Sequence, residues 1–441
     1  MRTKHRFYSR VYSRVCQTMM VVFQNGHIFH RRVSENMPVT DLNRFRPRQP
    51  DLFFARLYYF VYLGGSSFIT PFINLFYVSL GFSGKEIGTL ASTSAVIGLI
   101  AAPVVVNEIK KHPQGRTYLQ VLLVLGAIGY SAIGQQSAFL PVMLIIMLNA
   151  LAISGVAPLS DAMAVSVAKS SEAGYGSIRV FGSLGWILIL PASGWLIERF
   201  GFFAGFTGFS LAWICTAGVV LMISASHFST QRGLDWPKPD LRAAIRKVSQ
   251  NRTLFGFAIA VVAIGFLNNG VLQFENVFLS QLGASKQLIS VAGILSAIVE
   301  LPFMLISDRV MRRIGAHRML LIALTLTFLQ RLTVVLLPSI ATIMIVRFIG
   351  GVAFSFYTIS FIGLISGHTE AHETGTVLAL YTVTLASLVN IVASPLAGAL
   401  YDAIGARWLY AFSAAGYLIA LVSLWVTRPG QARADTLAPA P

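Results

Sequence analysis

Charged residues and cysteines are scarce in this sequence. Only 12% of its 441 residues are charged and 55% are apolar, with a mean hydropathy of +0.69, whereas about 25% of an average chain is charged. A chain this apolar is neither a soluble globular domain nor a disordered protein. Its two cysteines, Cys16 and Cys215, are too few for the disulfide framework of a small secreted scaffold. The composition therefore indicates an integral membrane protein that lies in a lipid bilayer.

Apolar runs long enough to cross a bilayer as helices, about 20 residues each, occur twelve times. The sequence predicts an all-α membrane protein with twelve transmembrane helices, called spans 1 to 12 below. The predicted limits are 53–80, 87–107, 117–136, 138–167, 177–198, 201–226, 253–281, 288–307, 317–337, 339–366, 374–400 and 406–427.

One long polar segment divides the spans into two sets of six. The predicted parts of the chain are a basic cytoplasmic tail at 1–50, an N-terminal bundle at 51–226, a cytoplasmic central loop at 227–252, a C-terminal bundle at 253–427 and a second tail at 428–441. The first tail lacks the apolar core of a signal peptide. Met37 precedes the basic lead-in to span 1, so we expect that translation starts there rather than at Met1.

Lysine and arginine are distributed unevenly between alternate connections, and this bias sets the orientation in the membrane. Residues 1–51 contain ten of them and 227–252 contain six. The opposite connections contain only Lys85, Arg199, Lys286 and Arg407. Both termini are therefore predicted to be cytoplasmic, in a plasma or inner membrane. The net charge of +17 is explained by this topology, and no nucleic-acid partner is expected.

Two motifs recur in the two halves at nearly the same offset. The run PASGWLIERFG at 191–201 matches PLAGALYDAIG at 395–405, because both read P-x-x-G-x-x-x-[ED]-x-x-G. The run LGFS at 80–83 matches LGAS at 282–285. These matches predict two pseudo-symmetric six-helix bundles, and parallel repeats of this kind bind their solute between the halves near the middle of the membrane.

The segment SDRVMRRIGAHR at 307–318 resembles the D-R-x-x-x-x-G-x-[KR] signature of the major facilitator superfamily. The resemblance implies a cytoplasmic gating motif after span 8, formed by Asp308, Arg309, Arg312, Arg313 and Gly315. The equivalent stretch after span 2, NEIKKHPQGR at 107–116, departs from the signature.

Three further runs are similar to the branch of this superfamily that contains the lactose permease, nucleoside symporters and the phenylpropionate permease. They are LYYF at 57–60, PLSDA at 158–162 and YGSIRVFGSLG at 175–185. The resemblance implies the major facilitator fold and a secondary transporter, which moves a small-molecule solute by alternating access. We expect the protein to be a monomer.

Four ionisable residues inside the spans are candidates for proton coupling: Glu275, Glu300, Arg331 and Arg347. Such a residue costs about 3 kcal/mol or more at membrane depth, so it calls for a partner or a function. Glu300 is the first choice because it lies nearest the middle of its span. Burial and a neighbouring arginine shift the pKa of a carboxyl group in opposite directions, so a carboxylate near Arg331 is able to switch protonation. In transporters similar to lactose permease, acidic and arginine residues on spans 8 and 9 do this work; a structural ion pair is the open alternative.

Polar side chains within the spans predict a central cavity for the solute. Spans 1 and 7 each carry a polar stripe, and Asp161 and Arg179 are expected to meet across the turn between spans 4 and 5. The cavity candidates are Thr70, Asn74, Tyr77, Asp161, Arg179, Trp186, Asn268, Asn269, Gln273, Asn276 and Asn390. For each one the alternative is helix packing, and for Asp161 and Arg179 it is an ion pair near the cytoplasmic gate.

The sequence thus favours a secondary active transporter, with proton-coupled symport as the main hypothesis. A proton/drug antiporter or exporter of the same fold is the first alternative. A membrane receptor or an intramembrane enzyme is a minor one, because no long cytoplasmic domain and no catalytic constellation is evident. No cofactor and no metal are expected, since HTEAH at 368–372 matches neither zinc motif with paired histidines.

Overall fold

The structure, a computed structural model, describes residues 50–110, 112, 114–229 and 241–428. In these ranges the chain is helical without a β-strand, and twelve helices are long and apolar enough to cross a membrane, as predicted. They are Pro50–Ser79, Gly84–Ile109, Gly115–Ile133, Phe139–Ser170, Gly176–Phe200, Phe202–Val220, Arg252–Gln281, Lys286–Ile314, Ala316–Leu336, Ile340–Ser366, Glu373–Ile404 and Ala406–Val426. The expectations for the basic tail, Met37 and the last residues lie outside the described part.

The spans form two halves, 50–229 and 241–428, called the first and second half below. In the first half span 1 packs against spans 5 and 6, and in the second half span 12 packs against spans 7 and 9. Many large apolar side chains remain exposed, for example Leu148 at 70% and Leu272 at 72%. An apolar exterior around helices that satisfy their own backbone hydrogen bonds is what a bilayer requires.

The repeated sequence motifs form repeated turns. Gly81 and Gly283 have φ angles of 82° and 90°, and Gly201 and Gly405 have φ angles of 77° and 79°. Glycine adopts this left-handed conformation without the steric cost that a Cβ atom imposes. Each pair therefore ends one helix and starts the next in the same way in both halves.

Several spans are not continuous α-helices. Span 1 consists of Pro50–Ser66, a 3₁₀ turn at Thr70–Phe72 and Ile73–Ser79. Span 7 consists of Arg252–Leu267 and Asn269–Gln281, and span 11 contains a π-helical turn at Leu380–Leu385. Broken helices expose backbone groups at membrane depth, and transporters use them to bind solutes and ions.

The two ends of the bundle are called the Pro50 end and the Ser79 end, after the limits of span 1. Contacts between the halves involve spans 2 and 11, spans 5 and 8, and the Ser79 ends of spans 1 and 7. A Cβ atom on Gly88 would overlap the Ser394 carbonyl, and one on Gly398 would overlap the Gly84 carbonyl. The halves are therefore in close backbone contact at the Ser79 end.

A short helix, Leu241–Gln250, precedes span 7 at the Pro50 end. Its Ala244 and Val248 are buried in an apolar cluster of the second half. Its Lys247 Nζ lies 2.9 Å from Glu373 Oε2 at the start of span 11. This part of the central loop is thus packed against the second half.

Candidate functional site

Spans 1 and 7 break at equivalent places, and their Ser79 ends meet across the two halves. Asn74 Nδ2 donates to the Gln273 carbonyl at 2.8 Å, and Asn276 Nδ2 donates to the Pro71 carbonyl at 2.7 Å. Each bond joins a side-chain amide of one half to a backbone carbonyl of the other. One amide from each predicted stripe, Asn74 or Asn276, therefore contacts the other half.

Other members of the span 1 stripe have local partners. Thr70 Oγ1 donates to the Ser66 carbonyl in its own helix at 2.8 Å. Tyr77 is buried, and its ring stacks on Phe82 with 5.9 Å between centroids. Of the predicted stripe, Asn74 is the side chain that reaches the second half.

The amides of span 7 form a connected network inside the second half. Ser413 Oγ donates to Asn268 Oδ1 at 2.7 Å, and Asn269 Nδ2 donates to Asn390 Oδ1 at 2.8 Å. Gln273 Nε2 donates to Asn269 Oδ1. Asn268 and Asn269 are buried, whereas Asn390 is exposed. This network links the break in span 7 to spans 11 and 12.

A charged cluster lies beside this network. Arg347 Nη2 is 2.8 Å from Glu275 Oε2, and Arg331 Nη1 is 3.8 Å from Glu275 Oε1. Tyr410 donates its hydroxyl to Glu275 Oε1 at 2.9 Å, and Arg347 Nη2 also donates to Asn276 Oδ1 at 2.8 Å. Spans 7, 9, 10 and 12 are thus held together around one carboxylate.

The structure does not place Glu300 beside Arg331, contrary to the expectation from sequence. Arg331 is paired with Glu275, and Glu300 forms no ion pair within the described ranges. The Ser355 hydroxyl donates to the Glu300 carbonyl, so Glu300 is level with Ser355 of span 10. Arg347 is eight residues before Ser355, about 12 Å along a helix. Glu300 is therefore about two turns closer to the Pro50 end than the charged cluster.

Asp161 and Arg179 approach the same tyrosine rather than each other. Tyr59 donates its hydroxyl to Asp161 Oδ1 at 2.6 Å, and Tyr175 donates to the same oxygen at 2.9 Å. The Arg179 guanidinium lies 5.6 Å from the centre of the Tyr59 ring. No ion pair joins Asp161 to Arg179 among the residues that the structure describes, and both residues are exposed.

Trp186 is half-buried in span 5, next to glycines that pack against span 1. A Cβ atom on Gly185 would overlap the Phe60 carbonyl, and one on Gly182 would overlap the Leu63 side chain. Small residues allow such close helix packing in membranes. The glycines therefore have a packing function, and Trp186 remains a candidate cavity residue.

The predicted gating motif lies at the Pro50 end. Its Gly315 has a φ angle of 84° and ends span 8. Its four charged side chains, Asp308, Arg309, Arg312 and Arg313, are all exposed. Within the described residues none of these four forms an ion pair, so the motif does not connect the halves in this structure.

Sequence reasoning missed two carboxylates that connect the halves at the Ser79 end. Asp402 accepts hydrogen bonds from the Gly84 and Lys85 backbone amides at 2.6 and 2.8 Å, and Glu198 accepts one from the Lys286 amide at 2.6 Å. Each carboxylate thus caps the first turn of a span in the other half. The signal was present, because both residues occupy the acidic position of the repeated P-x-x-G-x-x-x-[ED] motif. Tyr410 and Tyr59 were also missed, since tyrosines in apolar spans carry no pattern of their own.

Twelve spans in two halves, joined by polar contacts between spans 1 and 7, are the architecture of membrane transporters with the fold of the major facilitator superfamily. Residues 53–412 match the MFS_1 like family. The match covers most of the sequence, and the chain belongs to this family of membrane transporters, which are not enzymes.

Known proteins support the class and differ in function. The chain is 27% identical over 274 residues to a maltose permease of Geobacillus stearothermophilus, a match that covers 60% of this chain and 66% of the permease. It is 27% identical over 351 residues to a homologue of the multi-drug resistance efflux pump PmrA from Lactococcus lactis subsp. lactis, covering 76% and 84%. The crystal structure of the nucleoside transporter NupG superposes with a TM-score of 0.72 at 14% identity, covering 86% and 99%; at this identity the likeness concerns the fold alone.

Proposed function

We propose that the chain is a proton-coupled symporter that moves a small organic solute by alternating access, acting as a monomer in the cell membrane. The observation that supports this proposal most directly is the environment of Glu300. This residue is a half-buried carboxyl group near the middle of span 8, and the described residues provide no cation for it. A carboxyl group of this kind is free to bind and release a proton as its exposure changes.

The contacts between the halves support alternating access. They lie at the Ser79 end, which the charge bias predicts to be extracellular. At the opposite end Asp161, Arg179 and the charged residues of the gating motif are exposed. We therefore infer a state that is closed toward the outside and open toward the cytoplasm, in which Glu300 is able to exchange its proton with the cytoplasm.

Glu275 is less suited to carry the proton in this state. Two guanidinium groups and one hydroxyl group surround its carboxylate. Protonation would leave two largely buried cations at membrane depth without a counter-charge, and removing one partner of such a pair is strongly unfavourable. In our proposal the Glu275 cluster holds the second half together, while Glu300 titrates.

Antiport is the second candidate, because one relative is a homologue of a multidrug efflux pump. Symport and antiport differ in the direction in which protons accompany the solute. A pH-sensitive dye trapped inside proteoliposomes reads that direction without knowledge of the protein orientation. We suggest adding maltose, uridine and ethidium outside, each without an imposed pH gradient.

For a symporter, entry of a transported solute acidifies the lumen, and for an antiporter it makes the lumen alkaline. Glu300→Gln should abolish the dye signal while one-for-one exchange of labelled solute continues, because exchange needs no net proton movement. Glu86→Gln is the matched control, since Glu86 is a half-buried acid whose carboxylate, among the described residues, bonds to Ser83 of its own half. A full dye response in Glu300→Gln would refute the assignment.

A further inference from the structure

The charged cluster in the second half carries more positive than negative charge. Arg331 and Arg347 both lie within 4 Å of Glu275, so the three side chains sum to one positive charge. Glu300 does not compensate, because it is about two turns away along span 8. Within the described residues the Glu275 carboxylate is the one acid that pairs with these arginines.

A structural ion pair does not require this excess. One arginine and one glutamate would join span 7 to span 10, whereas a second arginine adds an uncompensated charge at membrane depth, which is costly. In addition, Arg331 Nε is a buried donor that has no acceptor among the described residues. Both observations indicate that the cluster is one anionic acceptor short.

The cluster is also reachable and lies close to the other half. The exposed fractions of the Arg331, Arg347 and Glu275 side chains are 14%, 14% and 18%, so none is sealed off. A Cβ atom on Gly293 would lie 2.9 Å from Leu190 of span 5 and 3.9 Å from Arg347 Nη1. The second Arg347 nitrogen, Nη2, bonds to Asn276, which in turn bonds to the Pro71 carbonyl of span 1.

We infer that the solute carries an anionic oxygen group, a carboxylate or a phosphate, that Arg347 and Arg331 bind. This inference rests on the proposed transport function and narrows its solute class. Guanidinium groups bind such oxygens through paired, charge-assisted hydrogen bonds. An anion at this position neutralises the excess charge, supplies acceptors to the arginines and lies beside residues of both halves, as the solute of a rocking transporter must.

The test compares anions with neutral molecules of the same shape. Thermal shifts of the purified full-length chain are measured in benzoate against benzamide, acetate against acetamide, and inorganic phosphate, each up to 50 mM. We expect saturable stabilisation by at least one anion and none by its neutral counterpart. The carboxylate and phosphate arms distinguish the two sources of anionic oxygen. Absence of saturable stabilisation by all three anions would overturn the inference.

Three variants assign the binding to the cluster. Arg347→Gln leaves Glu275 paired with Arg331, so it should fold, and we expect at least tenfold weaker anion binding, equivalent to about 1.4 kcal/mol. Arg347→Lys keeps the positive charge and should lose less affinity for the anion than Arg347→Gln. Arg407→Gln is the control, because Arg407 is an exposed arginine that bonds to the Val335 carbonyl. Unchanged affinity in Arg347→Gln would also overturn the inference.

The outcomes separate this inference from the proposed function. If maltose or uridine moves with protons and Arg347→Gln does not change this flux, the proposal of a symporter is supported and the inference of an anionic solute is refuted. Saturable anion binding that depends on Arg347, without any proton-linked flux, would support the anion site and refute the symporter.

Discussion

The two carboxylates at the Ser79 end offer a direct test of how the halves are held closed. Asp402 accepts two backbone amide hydrogen bonds at the start of span 2, and Glu198 accepts one at the start of span 8. Each bond exists only while this end is closed, because donor and acceptor belong to different halves. Asp402→Ala and Glu198→Ala should therefore destabilise the closed state relative to the open one.

The size of the effect follows from the value of a helix cap. Loss of a side-chain cap costs about 1 kcal/mol, and 1.4 kcal/mol is a factor of ten in an equilibrium constant. Each single variant should thus raise the population open at the Ser79 end about fivefold. The two caps act on different span pairs but on the same two-state equilibrium, so their free energies add. The double variant should raise that population about thirtyfold.

A thiol placed in the closed end measures this population. Ser394 is 4% exposed and its carbonyl faces Gly88 of span 2, so Ser394→Cys is protected when the end is closed. The native thiols Cys16 and Cys215 are first replaced by serine. A membrane-impermeant maleimide is then added outside right-side-out vesicles, and the alkylation rate reports the fraction of molecules open to the outside.

Glu86→Ala is the control for this experiment. Glu86 lies in the same first turn of span 2 as the Asp402 contacts, but it bonds to Ser83 of its own half. Its loss should destabilise the open and closed states equally and leave the alkylation rate unchanged. Equal alkylation rates in Asp402→Ala and Glu86→Ala would refute the view that the Asp402 and Glu198 caps hold the Ser79 end closed. A double variant that is alkylated no faster than either single variant would refute it as well.

Three further predictions follow from the same geometry. Gly88→Leu should prevent closure at the Ser79 end and reduce transport at least tenfold, because even its Cβ atom would overlap the Ser394 carbonyl. A Cβ atom on Gly98 in the same span meets no atom within 4 Å, so Gly98→Leu should transport normally; flux assays compare the two. Glu275→Gln should lower the melting temperature strongly, since breaking a fully buried pair costs about 3–5 kcal/mol and this one is largely buried. Glu300→Gln should not lower it, and a larger loss in Glu300→Gln would contradict the assignment of roles. Thiols at Ser83 and Arg313 should be labelled from the outside and from the cytoplasm respectively, and the reverse pattern would overturn the predicted orientation.

The fold was predictable from the sequence because the bilayer constrains it so strongly. Every helix that crosses hydrocarbon must be long and apolar, and its backbone groups must form their hydrogen bonds within the helix. The twelve apolar runs of the sequence therefore predicted twelve spans, with limits close to those observed. The polar stripes of spans 1 and 7 were predictable for the same reason, since Asn74 and Asn276 need partners. That spans 1 and 7 meet across the halves was predictable from the internal repeat, which makes them equivalent helices of the two bundles.

The pairing of charges was not predictable, because it depends on helix rotation and depth. The sequence led us to expect Glu300 beside Arg331, but Arg331 pairs with Glu275, because span 7 presents Glu275 at the level of Arg331. The caps by Asp402 and Glu198 involve backbone amides of the other half, which no side-chain pattern records.

The repeated motif and the gating motif together favour one resting state. At the Ser79 end both halves contribute a capping carboxylate, so the closure there is reinforced twice by the same sequence pattern. At the Pro50 end the gating signature is present after span 8 and altered after span 2, and the charged side chains of the intact copy form no ion pair within the described residues. Two caps of about 1 kcal/mol each bias a two-state equilibrium about thirtyfold toward closure at the Ser79 end. The gating motif at the Pro50 end, without ion pairs of its own in the described residues, stabilises the opposite state by less than this. The empty transporter should therefore rest closed at the Ser79 end. Solute binding, rather than contacts of the gating motif, must provide the free energy that opens the Ser79 end.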